Sequence, residues 1–201
     1  MAVEAKNIVG TTERMAILHE ITKSAITSRK FQEYCETFGY TEKSLKGKAI
    51  LDVGSGLSDF IQEARAIGAK AVKLDGIYSM RDILLPEQKK DAVAGFAQYL
   101  PFKDNSFDET ISLYCLYHVI TGLDKAIGEM IRVTKPDGKT RIYPVYDIGF
   151  TYRLKNESSV SMIEAREAKT LVISKNPNYT ADRWQTLANK IASAVIFSER
   201  Y

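Results

Sequence analysis

The sequence predicts an α/β fold, a mainly parallel sheet with helices on both faces, and three observations carry that expectation. Strand-like and helix-like segments alternate from residue 49 to residue 145, as parallel neighbours require, because each pair needs a crossover connection. The first strand, Ala49-Ile50-Leu51-Asp52-Val53, runs into Gly54-Ser55-Gly56, where the lack of bulky side chains lets the backbone turn tightly and approach a ligand. The second apolar run, Ala71-Val72-Lys73-Leu74, closes on an acid, Asp75.

Each element has its own signal. Apolar residues at Met15, Ile17, Leu18, Ile21, Ala25, Phe31, Tyr34, Cys35 and Phe38 recur at a spacing near 3.6, which predicts one or two amphipathic helices over residues 11–39. Gly39 stops them, and Lys46-Gly47-Lys48 turns into the first strand, 49–53. A helix over 57–67, a strand at 71–75, a helix within 79–90 and a strand at 92–97 follow. A strand at 108–113, a helix over 121–134 and a strand at 139–145 complete the alternation, with Pro136-Asp137-Gly138 as the turn before the last of them. Beyond residue 146 the pattern weakens. Lys169-Thr170-Leu171-Val172-Ile173 is a strand, Asn156-Glu157-Ser158-Ser159 a loop, and Thr180 opens a final amphipathic helix carrying Leu187, Ile191 and Val195. The expected organisation is a helical cap over residues 1–46 on a single compact domain, 47–201.

Composition narrows the class. With 201 residues, 45% apolar and 26% charged, the chain reads as an ordinary soluble globular protein. A net charge of +3 gives no electrostatic case for nucleic acid, which is not expected as a partner. Cys35 and Cys115 have no metal-ligand spacing, so no metal is expected and a reducing cytoplasm is. The mostly apolar stretch from Ile111 to Ile120 is too short to span a bilayer, and Met1 to Lys6 lacks a leader pattern, so neither membrane association nor processing is expected.

Gly54 and Gly56 followed one strand later by Asp75 read as a nucleotide-type site, with the acid placed to accept hydrogen bonds from ribose hydroxyls. A glycine pair also joins strands to helices where no ligand binds, and an acid at a strand end is commonly a solvated cap; the combination favours the ligand. His118, one of two histidines, is either a packed structural residue or a general base. Tyr114 and Tyr117 are pocket wall or core before they are chemistry. Arg29, Phe31, Tyr34 and Tyr40 form either a lid or plain packing.

Three segments together decide the nucleotide. Leu51-Asp52-Val53-Gly54-Ser55-Gly56, then Leu100-Pro101-Phe102-Lys103-Asp104-Asn105-Ser106-Phe107-Asp108, then Glu129-Met130-Ile131-Arg132-Val133-Thr134-Lys135-Pro136-Asp137-Gly138 closely resemble the class I S-adenosylmethionine-dependent methyltransferases over roughly residues 47–146. The resemblance implies a Rossmann-like seven-stranded sheet, whose C-terminal edge is left open here, and S-adenosylmethionine as cofactor. It places Asp52, Gly54 and Gly56 around the methionine end and Asp75 on the ribose, with Gly76 and Ile77 following, Ile77 against the adenine. Phe96, Ala97 and Gln98 would form the adenine rim, a backbone amide facing a ring nitrogen. Leu113 to His118 would follow the fourth strand at the floor of the acceptor pocket, with His118 and Tyr117 as candidate catalytic residues.

The chain departs from the family at two of these positions. Ser58 stands where a third glycine is usual, and Phe96 stands where an acid usually accepts from the adenine amine; the Gln98 carbonyl or a water could take that role. The implied function is methyl transfer to a small-molecule acceptor, since no separate recognition domain is evident. The alternative is a fold relative that does not methylate, either a cyclisation or rearrangement catalyst or a non-catalytic partner subunit. An NAD-dependent oxidoreductase fits less well, because the third fingerprint glycine is absent. A homodimer or a hetero-oligomer is left open.

Overall fold

The computed structural model describes residues 29–79, 90–119, 121–146, 153–154, 156–166 and 168–198. Among them run the strands β1 (Ala49–Val53), β2 (Lys70–Asp75), β3 (Ala92–Ala94), β4 (Phe107–Leu113), β5 (Thr134–Val145), β6 (Val160–Ala165) and β7 (Ala168–Ser174). They form one sheet in the order β3-β2-β1-β4-β5-β7-β6. The first five are mutually parallel, whereas β7 is antiparallel to both β5 and β6. The α/β expectation holds, and β6 and β7 fill the C-terminal edge.

Helices α1 (Phe31–Phe38), α2 (Glu42–Leu45) and α3 (Phe60–Ala66) lie on one face, and α4 (Leu123–Val133) and α5 (Ala181–Ser198) on the other. The two-residue period of β1 sorts its side chains between these layers. Leu51 and Val53 join the core under α4 and α5, while Ile50 joins the core under α1 and α3. Asp52 shares the face of Ile50 and is fully buried there.

Between α1 and α3 the core is aromatic. Tyr34 stacks on Phe60 at 4.4 Å between ring centroids, and Phe31 stacks on the same ring at 5.8 Å. A fully buried ring such as Tyr34 or Phe60 stabilises by about 1.5–3 kcal/mol. The helices are also tied by backbone: the Phe31 amide donates to Asp59 Oδ1 at 2.6 Å, which caps α1 with an acid from the start of α3. Of the two readings for Phe31, Tyr34 and Tyr40, packing is therefore the one observed. Residues 11–28 of the helical stretch expected over 11–39, and most of the helix expected within 79–90, lie outside the described residues.

Three junctions and one strand depart most from expectation. α3 begins at Phe60 rather than 57, because Gly54 to Ser58 stay in the turn, where Ser58 N bonds to Ser55 O. β3 ends at Ala94 rather than 97: Gly95 packs under Leu74, and the Tyr99 amide bonds back to Phe96 O, so Phe96, Ala97 and Gln98 form a loop. α4 runs directly into β5, and Pro136-Asp137-Gly138 bulges within that strand. Asp137 adopts φ +62° there, and Gly138 is crowded by Asp108 O, Thr134 Cγ2 and Lys135 O at 2.8–2.9 Å from where a Cβ would stand. Finally, β6 was not foreseen, being an edge strand with mixed polar and apolar residues.

Candidate nucleotide-type site

The C-terminal ends of β1 to β4 enclose a cavity of about 360 Å³, where open α/β sheets gather ligands. Gly54 leaves β1 with φ +73°, and a Cβ at that position would stand 2.0 Å from Cys115 Sγ. Glycine is therefore required there both by the left-handed backbone and by the side chain lying over it. The Gly54 and Ser55 amides donate to Leu74 O at 2.8 and 3.3 Å, which ties the loop to β2.

Asp75 organises the next turn. Its Oδ2 accepts from the Gly56 amide at 2.9 Å and its Oδ1 from the Ile77 amide at 3.0 Å. An ionised carboxylate has about four acceptor sites, so both oxygens keep capacity for a hydroxyl donor while the two amides fix their orientation. Tyr78 supports the loop from beneath: its hydroxyl hydrogen-bonds the Gly56 carbonyl oxygen and lies 3.3 Å from Ser55 Oγ. Burial raises the Tyr78 phenol above its ordinary range and so keeps it a donor.

The remaining candidates separate into lining and support. Gly54, Asp75, Gly76, Phe96, Ala97, Gln98 and His118 line the cavity. Phe96 is 70% exposed, and its Cε1 lies 3.3 Å from where a Gly76 Cβ would stand, so its ring closes over the backbone after Asp75. The Gln98 amide donates through Nε2 to Thr121 O at 3.1 Å, bridging the loops after β3 and β4. Gly56 and Ile77 act through the amides that hold Asp75.

Two residues expected at the cofactor lie behind the cavity instead. Leu113 is fully buried in the core beneath α3, because its place in β4 turns its side chain to that face. Asp52 is buried below the glycine loop, where its Oδ2 accepts from Tyr34 Oη at 2.8 Å. Loss of water pushes its carboxyl up to about 7, against the opposing effects of the Tyr34 hydrogen bond and the Arg29 charge.

His118 ends a 3-10 turn, Leu116–His118, and is exposed at the cavity rim rather than packed in the core. Tyr117 belongs to the same turn, and its side chain lies outside the described residues. Cys115, within the stretch 113–118 expected at the floor, lines the cavity, as do Leu74, Gly95, Val119 and Thr121, which were not foreseen. The Cys115 thiol is pushed up to about 12, first by burial and then by the charges of Asp75 and Asp52, so it stays protonated and unreactive. Arg29 places its guanidinium 4.7 Å from the centre of the Tyr114 ring. Tyr114 itself leaves β4 at φ +56°, a conformation uncommon for a bulky residue and typical of functional loops. No group of three or more His, Cys, Asp or Glu suited to a metal occurs among the described residues, and no helix among them is long and apolar enough to cross a membrane.

Residues 51–142, from the strand beneath the glycine loop to the middle of β5, match the family model described as a methyltransferase domain. That match supports the resemblance to the class I S-adenosylmethionine-dependent methyltransferases. Over 99 residues this chain is 35% identical to a demethylmenaquinone methyltransferase of Renibacterium salmoninarum, a match covering 48% of the chain and 40% of that protein. Over 103 residues it is 35% identical to the ubiquinone/menaquinone biosynthesis C-methyltransferase UbiE of Vibrio cholerae, covering 46% and 39%. It thus spans about two-fifths of the length of these curated relatives. The fold also matches a crystal structure of a SAM-dependent methyltransferase from Aquifex aeolicus, with a TM-score of 0.53, 16% identity, and coverage of 77% of this chain and 96% of that one.

Proposed function

We propose that this protein binds S-adenosylmethionine and transfers its methyl group to a small-molecule acceptor. The observation that carries the reading is Asp75, held by the Gly56 and Ile77 amides at the edge of the cavity. A carboxylate with both oxygens oriented and acceptor capacity to spare suits the paired hydroxyls of a ribose. The donor set fits an adenosine-bearing ligand on either side of it. Gly54 gives close backbone approach toward Cys115, and Gly76 with Phe96 offers a flat apolar slot.

When bound, S-adenosylmethionine supplies a methyl group on a positively charged sulfur, which keeps the bonding pair as the carbon moves to the nucleophile. The residues of the chain have three tasks. Asp75 and the glycine loop fix the donor, the loops after β3 and β4 exclude water, and the rim of the β4 loop meets the acceptor. Holding two reactants in line contributes several kcal/mol. Where the acceptor must lose a proton, His118 at the rim is the group we assign to take it. The relatives named for demethylmenaquinone and ubiquinone synthesis make a quinone-type ring the first acceptor class to try.

Calorimetric titration with S-adenosylmethionine, S-adenosylhomocysteine and NAD tests the cofactor. Binding of the first two and not the third is expected, and selective NAD binding would overturn the reading. Mass spectrometry of acceptor mixtures then tests transfer. Cofactor binding with no methylated product from any acceptor class would favour a fold relative that does not methylate.

A further inference from the structure

We propose that Arg29 is the anion-binding residue of the acceptor site, so that the acceptor presents an anionic oxygen; this rests on the cofactor reading above. Arg29 lies just ahead of α1, and its backbone is held, because the Asp59 amide donates to Arg29 O at 3.3 Å. Its guanidinium lies 4.7 Å from the centre of the Tyr114 ring, which itself meets Tyr143 of β5 edge to face at 5.1 Å. The cation thus stands by the ends of β4 and β5. In the sheet order β2-β1-β4-β5, Asp75 ends β2 and the glycine turn follows β1, so a donor lying along those two strands directs its methyl-bearing end toward β4. The Tyr114 corner is one strand further on, on the acceptor side.

Arg29 stands out through unused hydrogen-bonding capacity. A guanidinium carries five N–H donors in one plane, and stacking on a ring occupies a face and leaves the edges. Arg29 is partly buried, yet among the described residues no acceptor is bonded to its side chain and no carboxylate pairs with it. The nearby acids are committed elsewhere. Asp59 accepts from the Phe31 amide through Oδ1 and meets Lys30 at 3.3 Å through Oδ2. Asp52 is fully buried, accepts from Tyr34 through Oδ2 and has no hydrogen-bond partner at Oδ1, so it feels the Arg29 charge without bonding to it. A partly desolvated cation with open donors recovers its lost hydration from an anionic oxygen, through charge-assisted hydrogen bonds. An acceptor carboxylate and an ionised ring hydroxyl share that chemistry.

The test saturates the protein with S-adenosylhomocysteine and measures, by saturation-transfer NMR and calorimetry, matched aromatic pairs that differ in charge. Benzoate against benzamide is the carboxylate arm; para-nitrophenol against para-nitroanisole, at a pH where the phenol is ionised, is the phenolate arm. The unaltered protein is expected to bind the anionic member of at least one pair about 10-fold tighter or more, the range of one charge-assisted hydrogen bond, and the arm that responds names the source. Arg29→Gln should abolish the preference, and Arg29→Lys, which keeps the charge without the fork, should keep part of it. No preference in the unaltered protein, a preference that survives Arg29→Gln, or equal loss in both variants overturns the assignment. Comparing S-adenosylhomocysteine with methylthioadenosine, which lacks the amino-acid end, separates acceptor from donor. Arg29→Gln is expected to leave both affinities as they were. Weakening of S-adenosylhomocysteine alone would put Arg29 on the donor's own carboxylate, overturning the assignment and leaving the cofactor reading standing. Failure of the unaltered protein to bind either adenosine compound removes the cofactor reading, and this one with it. Thermal unfolding of both variants confirms that each comparison is made on folded protein.

Discussion

Tyr34 on α1 donates a 2.8 Å hydrogen bond to Asp52 at the end of β1, so a helix that precedes the sheet is wired to the strand beneath the glycine loop. Both groups are fully buried. The other Asp52 oxygen has no hydrogen-bond partner among the described residues, and a carboxylate so placed bears most of its desolvation cost. Burial also holds the Tyr34 phenol well above its ordinary range, so it donates and does not ionise.

Asp52 therefore makes stability depend on pH in an unusual direction for an acid. Its carboxyl rises from 3.8 to about 7 on folding, so between these values the folded chain holds a proton that the unfolded chain has released. Its contribution is present below about pH 4 and is lost as pH rises toward 7. Asp52→Asn, which keeps an acceptor for Tyr34, should leave stability near pH 4 unchanged and raise it at pH 8 by about 2–4 kcal/mol. Urea unfolding of both proteins at the two pH values is the check; equal stability at pH 8 would contradict it.

The contact of Gly54 with Cys115 predicts a rescue that depends on atoms rather than on polarity. An alanine Cβ at 54 would lie 2.0 Å from Cys115 Sγ and 2.3 Å from its Cβ, in a left-handed backbone. Gly54→Ala should cost about 3 kcal/mol or more. Cys115→Gly should recover the steric share and Cys115→Ala should not, since its Cβ remains. A double-mutant cycle in denaturant measures the coupling, and additive costs would show that the loop moves aside.

The family motifs were legible in the sequence because they are bonded to one another. Arg132 of α4 donates to Leu100 O and Phe102 O and pairs with Glu129 and Asp104, which couples the Leu-Pro-Phe segment to the helix segment ending in Pro136-Asp137-Gly138. Residues with such fixed partners leave a recognisable pattern. The central strands were legible for a related reason, being covered on both faces and so rich in apolar residues around a few buried polar ones such as Asp52 and Glu109. By contrast, β6 has a single strand neighbour, β7, and its apolar alternation breaks at the exposed Ile163, so its residues carry little period. The support of the site was hidden as well. Nothing local in the sequence says that Tyr78 would reach back to Gly56, that Cys115 would lie over Gly54, or that Leu113 would face away from the cavity, because each depends on which loops the sheet order makes neighbours.

Asp75 offers the most direct test of the proposed ligand. Asp75→Ala removes an acceptor from the ribose and also frees the Gly56 and Ile77 amides. Charge-assisted hydrogen bonds of this kind contribute about 1.5–3 kcal/mol, so affinity for S-adenosylhomocysteine should fall roughly 10- to 100-fold. Equal calorimetric affinity in the two proteins would rule out the ribose at this position.

His118 lies exposed at the rim of the cavity, where a role in chemistry and a role in packing can be separated by one variant. Melting of His118→Ala measures what its contacts contribute to stability. A group that takes the acceptor proton contributes about 10²- to 10⁴-fold to the rate. Single-turnover transfer by His118→Ala should fall within that range while affinity for S-adenosylhomocysteine holds, since Asp75 and the glycine loop are untouched. Full turnover in the variant would mean that the acceptor arrives already nucleophilic and that alignment by the chain suffices. A loss of cofactor affinity would instead make His118 part of the binding wall. Measuring rate, affinity and unfolding on one preparation distinguishes the three.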